Sequence, residues 1–157
     1  MTRSATETPR RPQRHHEAHG VRRRTDRDIV PVEAAEPIIG RWRRQCDPSA
    51  AAGVPAHVTI IYPFLPERNL DEDVLCDVRR LVVHHRSFTV TFANCGHLPD
   101  VLFLVPDPDD PFRRLTADLF RRWPEAPPYA GLITDPVPHL TITHGASPWE
   151  ASPNTSR

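Results

Sequence analysis

Apolar and polar positions alternate in distinct registers along the chain. Asp28-Ile29-Val30-Pro31-Val32 predicts a short first strand. Residues 34–46 predict a helix: Glu33 and Glu36 lie at its positive end, Pro37 in its first turn, and Arg41, Arg43 and Arg44 near its negative end. Ile38, Ile39, Trp42 and Cys46 share one side at helical spacing, so Trp42 is expected in the core. Asp47-Pro48 ends that helix, and an Ala/Gly loop leads to the next apolar segment.

Asn69 followed by Glu72 predicts the capped start of a helix running to about His84, with Val74, Leu75, Val78, Leu81 and Val82 as its stripe. Phe88 to Ala93 alternates with period two and Val101 to Val105 is continuously apolar; the turn-like Asn94 to Asp100 between them predicts a hairpin with His97 in its loop. Asp110 is expected to cap a further helix that starts at Pro111, with Phe112, Leu115, Leu119 and Trp123 on one face, stopped by Pro124. The order strand, helix, strand, helix, two strands, helix, strand predicts an α+β chain with mainly antiparallel pairing.

Two segments repeat one pattern. Val54-Pro55-Ala56-His57-Val58-Thr59-Ile60-Ile61 and Val137-Pro138-His139-Leu140-Thr141-Ile142-Thr143 each read His, apolar, Thr, apolar behind a proline, and 82 residues separate His57 from His139. In a strand, His57 and Thr59 share one face, as do His139 and Thr141, while Val58, Ile60, Leu140 and Ile142 point into a core. Imidazole, with an ordinary pKa of ~6.5, exchanges protons near neutrality, and a hydroxyl can hydrogen-bond a phosphoryl oxygen. Two such pairs facing one another would supply a base, an acid and two phosphate ligands.

With 157 residues, the chain has room for one domain. Its net charge of zero is unevenly spread: residues 1–27 hold eight Arg against Glu7, Glu17 and Asp26, leaving residues 28–157 mildly acidic and without a broad nucleic-acid-binding surface. All 20 basic residues are Arg. The absence of lysine excludes a nucleotidyl-lysine ligase, a P-loop site and a pyridoxal Schiff base, so any ligation must be phosphodiester cleavage run backwards. Cys46, Cys76 and Cys95 lack a Cys-x-x-Cys pair and read as free thiols of a reducing compartment. With no long apolar run and no apolar segment behind the N-terminus, a cytoplasmic protein without membrane contact is expected. Residues 1–26 and 147–157 are expected to be disordered tails around a domain at 27–146, and the His15-His16-Glu17-His19 cluster reads as part of a solvated tail. His84 and His85 read as a solvated helix end, and His97 lacks a partner motif.

The paired motifs resemble those of the two-histidine (2H) phosphoesterase superfamily, in particular its 2'-5' RNA ligase branch of RNA 2',3'-cyclic phosphodiesterases. The resemblance covers about residues 28–146. It implies a bilobal fold in which two sheets flank a central groove, here with the second lobe incomplete, because residues 147–157 carry no strand pattern. An open sheet edge would follow. It further implies RNA 3' ends or nucleotides bearing a 2',3'-cyclic phosphate as substrates, opened to a 2'-phosphate without a metal or other cofactor, and the reverse reaction as 2'-5' ligation. His57 and His139 would be catalytic, with His57 as acid and His139 as base, and Thr59 and Thr141 would bind the phosphate. Tyr62, Phe64 and Tyr129 are candidates for stacking on the base or ribose, and equally for ordinary packing. The alternative is a non-catalytic nucleotide- or RNA-binding remnant of that family.

Overall fold

A computed structural model describes residues 27–145. Strand β1 (Asp28–Pro31) leads through a 3-10 turn into helix α1 (Glu36–Cys46) and the single-turn α2 (Pro48–Ala51), and then into β2 (His57–Ile61). A second 3-10 turn precedes α3 (Glu72–His84); β3 (Thr91–Leu98) and β4 (Val101–Asp107) form a hairpin; α4 (Asp110–Arg122) and a third 3-10 turn (Pro128–Gly131) lead to β5 (Leu140–His144). The element order and the α+β class are those that the apolar periodicity predicts.

All five strands join one antiparallel sheet in the order β1-β2-β5-β4-β3. The last strand of the described residues therefore lies in the middle of the sheet, between β2 and β4. Where the family resemblance implies two sheets across a groove, the described residues form one sheet with both motif segments side by side. The reason lies in the side chains: Val58, Ile60, Leu140 and Ile142 are all buried, and pairing β2 with β5 merges their apolar faces into one core.

Helix α4 closes that core. Phe112 and Leu119 are buried with Trp123 at the helix end, which meets Phe64 edge to face at 5.2 Å between ring centroids. Thr116 Oγ1 donates to the Ile60 carbonyl at 2.9 Å, tying α4 to β2. Val74, Val78 and Leu81 of α3 pack at the margin of the cluster.

Four local expectations need correction. Helix α4 begins at Asp110 itself, with Asp109 at the N-cap position and no side-chain cap bond, so Asp110 is not its cap. Helix α1 buries Ile39 and Arg43, in i, i+4 register with the buried Ala35 that precedes it, while Ile38 is 75% and Trp42 51% exposed. Trp42 is thus not a core residue; the guanidinium of Arg43, matched by two carboxylates, turns the helix about one position from the purely apolar solution. Helix α3 is capped by Asp71, whose Oδ1 accepts from the Val74 amide at 2.9 Å, and Asn69 ends the preceding 3-10 turn. The hairpin turns only at Pro99-Asp100, so His97 sits in β3 and not in a loop, and Phe88 lies ahead of β3, against Phe112. Gly96 explains the misreading: it stands opposite Phe103, and a Cβ there would lie 2.2 Å from the Phe103 ring, so the glycine makes room for the ring rather than bending the chain. The expected tails at 1–26 and 147–157, with the His15-His16-Glu17-His19 cluster, lie outside the described residues.

Candidate active site

Prolines precede both motif segments and hold them extended before they enter the sheet. Val58 of β2 pairs with Leu140 of β5 in antiparallel register. Stepping one residue each way along this register sets His57 opposite Thr141 and Thr59 opposite His139, all four on the face away from Val58 and Leu140. Directly opposed residues hold their Cβ atoms ~5 Å apart and diagonal ones ~7–8 Å apart. His57 and His139 are such a diagonal pair, each opposite the other motif's threonine.

Phe103 of β4 pairs with Thr141, and its ring centroid lies 5.0 Å from that of His139. It therefore belongs to the same face, although nothing in the continuous apolar run of residues 101–105 signals which side each residue takes. Gly96 opposite it was the available clue.

The two histidines make the same local hydrogen bond. His57 Nδ1 lies 2.7 Å from the Pro55 carbonyl and His139 Nδ1 2.8 Å from the Val137 carbonyl. Since a carbonyl only accepts, the neutral rings carry their proton on Nδ1 and leave Nε2 as the acceptor. Their surroundings differ, for His57 is 8% exposed and His139 is partly exposed. Burial holds the His57 ring below its ordinary pKa; the Pro55 hydrogen bond opposes that shift, the Arg43 and Arg27 charges add to it, and the Asp47 charge opposes it.

Of the candidate stacking residues, Tyr62 is partly exposed with the Arg27 guanidinium 4.8 Å from its ring centre. Phe64 is buried against Trp123, and packing accounts for it. Tyr129 is half-buried, and burial pushes its hydroxyl above the ordinary value, so it stays protonated. Tyr129 and Ala130 adopt φ of 52° and 54°, the left-handed region that non-glycine residues seldom enter. The bend lets the Tyr129 amide donate to the Tyr62 carbonyl at 2.6 Å, which brings both tyrosines to the end of β2. His84 and His97 are exposed, whereas His85 pairs with Asp118 at 3.1 Å. Cys46, Cys76 and Cys95 are free thiols. Cavities of about 430 and 450 Å³ beside α4 are lined by none of the four motif residues. No helix among the described residues is long and apolar enough to cross a membrane.

A family model described as the 2'-5' RNA ligase superfamily matches residues 30–156, a span that contains both motifs. The comparison with curated proteins returned no match.

Proposed function

The chain belongs to the 2'-5' RNA ligase superfamily, and from that premise we propose that it is a phosphodiesterase that opens a 2',3'-cyclic phosphate of an RNA end or nucleotide to a 2'-phosphate. Membership supports a 2H phosphoesterase or RNA-ligase-like activity on RNA or nucleotide substrates. The observation that carries the finer reading is the diagonal placement of His57 and His139 on neighbouring strands, each with a threonine hydroxyl opposite.

In the proposed reaction one neutral imidazole takes a proton from water through Nε2 as the water oxygen bonds to phosphorus. The P–O3' bond breaks, and the other histidine, protonated, gives its proton to O3'. The product is a 2'-phosphomonoester with a free 3'-hydroxyl. Thr59 and Thr141 donate to the non-bridging oxygens as charge gathers on them. With a 5'-hydroxyl strand in place of water, the reverse sequence forms a 2'-5' linkage. Tyr62, Tyr129 and Phe103 are the aromatic surfaces at hand for a base.

Burial of His57 supports giving it the base role and His139 the acid role, the reverse of the assignment drawn from the motifs. A ring shielded from water resists the charge that an acid must carry before the reaction, which favours His57 as the base and leaves the acid role to the other histidine. The alternative of a non-catalytic RNA- or nucleotide-binding protein draws on the same burial, since His57 offers little surface to a substrate. Hydrolysis of a 2',3'-cyclic nucleotide, followed by phosphorus NMR in the parent and in His57→Ala and His139→Ala, decides between them. A 2'-phosphate product lost in both variants supports the enzyme, and equal rates in all three proteins remove it.

A further inference from the structure

The two motif histidines share a hydrogen bond but not a foundation. Behind His57 alone, α1 contributes an ionic clamp. Arg43 is 1% exposed; its Nη2 lies 2.8 Å from Asp47 Oδ2, and its Nη1 lies 3.3 Å from Glu36 Oε1 and 3.4 Å from the Val54 carbonyl. The same Glu36 oxygen accepts from the Ala56 amide. Asp47 is held in turn by the Ser49 amide and hydroxyl at 2.9 and 2.7 Å. The clamp thus grips the main chain on both sides of Pro55, at the Val54 carbonyl and the Ala56 amide. Pro55 supplies the carbonyl to which His57 Nδ1 donates.

Around His139, among the described residues, the preceding Pro136-Val137-Pro138 segment is bonded to no such buried ion pair. A buried arginine between carboxylates is a costly way to fill helix space, and apolar side chains of similar size often serve stability as well or better. What the ions provide that an apolar side chain could not is directional hold on two peptide groups.

We propose that Arg43 is a positioning residue for His57: with Glu36 and Asp47 it fixes the Pro55 carbonyl, which locks the imidazole in the Nδ1–H tautomer and keeps Nε2 free to accept a proton. The inference rests on the catalytic role proposed for His57. The charged groups acting on the ring are Arg43 of α1 and Arg27 ahead of β1, which disfavour its protonation, and Asp47 at the α1–α2 junction, which favours it. Thr141, opposite on β5, is uncharged.

The test reads the histidine rings directly, through proton–nitrogen correlation spectra over a pH titration, beside hydrolysis of a 2',3'-cyclic nucleotide. In the parent, His57 is expected as a single Nδ1–H tautomer. In Arg43→Met the positive charge is lost and two carboxylates remain, so the His57 midpoint rises and the tautomers mix, while His139 keeps its parental spectrum. Arg43→Lys is expected to retain the midpoint but mix the tautomers, because an ammonium cannot hold three oxygens in the guanidinium's plane. If Arg43→Met does not fold, Glu36→Ala decides: it leaves the Arg43–Asp47 pair in place, frees the Ala56 amide, and is expected to mix the His57 tautomers and slow turnover about tenfold. Arg41→Met, exposed on the same helix, is the control and should match the parent. An unchanged His57 tautomer in folded Glu36→Ala, or in folded Arg43→Met, overturns the proposal. A parent that hydrolyses no cyclic phosphate overturns the proposed function instead, and the ring spectra still answer for the clamp.

Discussion

Val58 faces Leu140 across the β2–β5 pair, and this register is what sets His57 beside Thr141 and Thr59 beside His139. Both residues are fully buried. The core and the candidate site are therefore two faces of one strand pairing: a slip of one residue would carry the motif side chains into the core and the apolar ones out of it.

Leu140→Ala should accordingly cost about 2–5 kcal/mol, the range for emptying a buried leucine site. Trp42→Ala, on the exposed side of α1, should change stability by less than about 0.5 kcal/mol. Urea unfolding of both variants measures this. A Trp42 variant as destabilised as the Leu140 variant would contradict the placement of α1.

Replacement of either histidine by alanine should slow hydrolysis of a 2',3'-cyclic nucleotide by about 10²–10⁴-fold, the usual contribution of a positioned acid or base. Thr59→Val and Thr141→Val each remove one donor to the phosphoryl oxygens and should cost on the order of 10²-fold, mainly in kcat. A threonine variant whose loss lies wholly in KM would show uniform binding instead of stabilisation of the developing charge.

Acid should destabilise the protein through His57. Burial lowers the folded-state pKa of the ring, so below ~6.5 the unfolded chain binds the proton more readily than the folded one, and stability falls as pH drops toward the lowered value. Above ~6.5 both states are neutral and this group has no effect. His57→Gln should flatten thermal stability between about pH 7 and 5 relative to the parent. Asp47 acts in a separate, lower window: burial works to raise its carboxyl, but hydrogen bonds from Ser49 and Arg43 and the Arg43 charge outweigh that and hold it below its ordinary value. Its contribution is present above the unfolded carboxyl range and is lost as pH falls through the folded value.

Gly96→Ala should bring its new methyl into the Phe103 ring, since an ideal Cβ there stands 2.2 Å away. The cost should be about 1–3 kcal/mol, as for other overpacked sites, and the ring should move against His139. Adding Phe103→Leu should recover part of that stability. A double-mutant cycle with no coupling would mean that the ring does not lie over Gly96.

Much of the fold was legible because burial imposes a period. The alternation in β2 and the 3.6-residue stripe of α4 announce their elements, and the repeated His-x-Thr segment singles out the candidate site residues by chemistry alone. Where a local signal had two meanings, the sequence misled. Asn94 to Gly96 has turn composition but is strand, because Gly96 answers to a ring on the neighbouring strand. Ile38 and Trp42 look like the inner side of α1, yet the inner side belongs to Arg43, whose partners Glu36 and Asp47 neutralise it only once the helix has formed. The place of Phe103 beside His139 was invisible, since a uniformly apolar run has no preferred face.

The sequence by itself determined which side chains could exchange a proton or hold a phosphate, and that each motif would present them on one face, because pleat and functional group are local properties of a strand. Tertiary structure decided that the two strands are neighbours in one sheet, in a register that sets each histidine beside the other motif's threonine. It also decided that His57 and His139 differ, one buried before an ionic clamp and the other partly exposed beside Phe103. Proximity across 82 residues and the dielectric around a ring depend on how distant segments pack, and no local pattern encodes either.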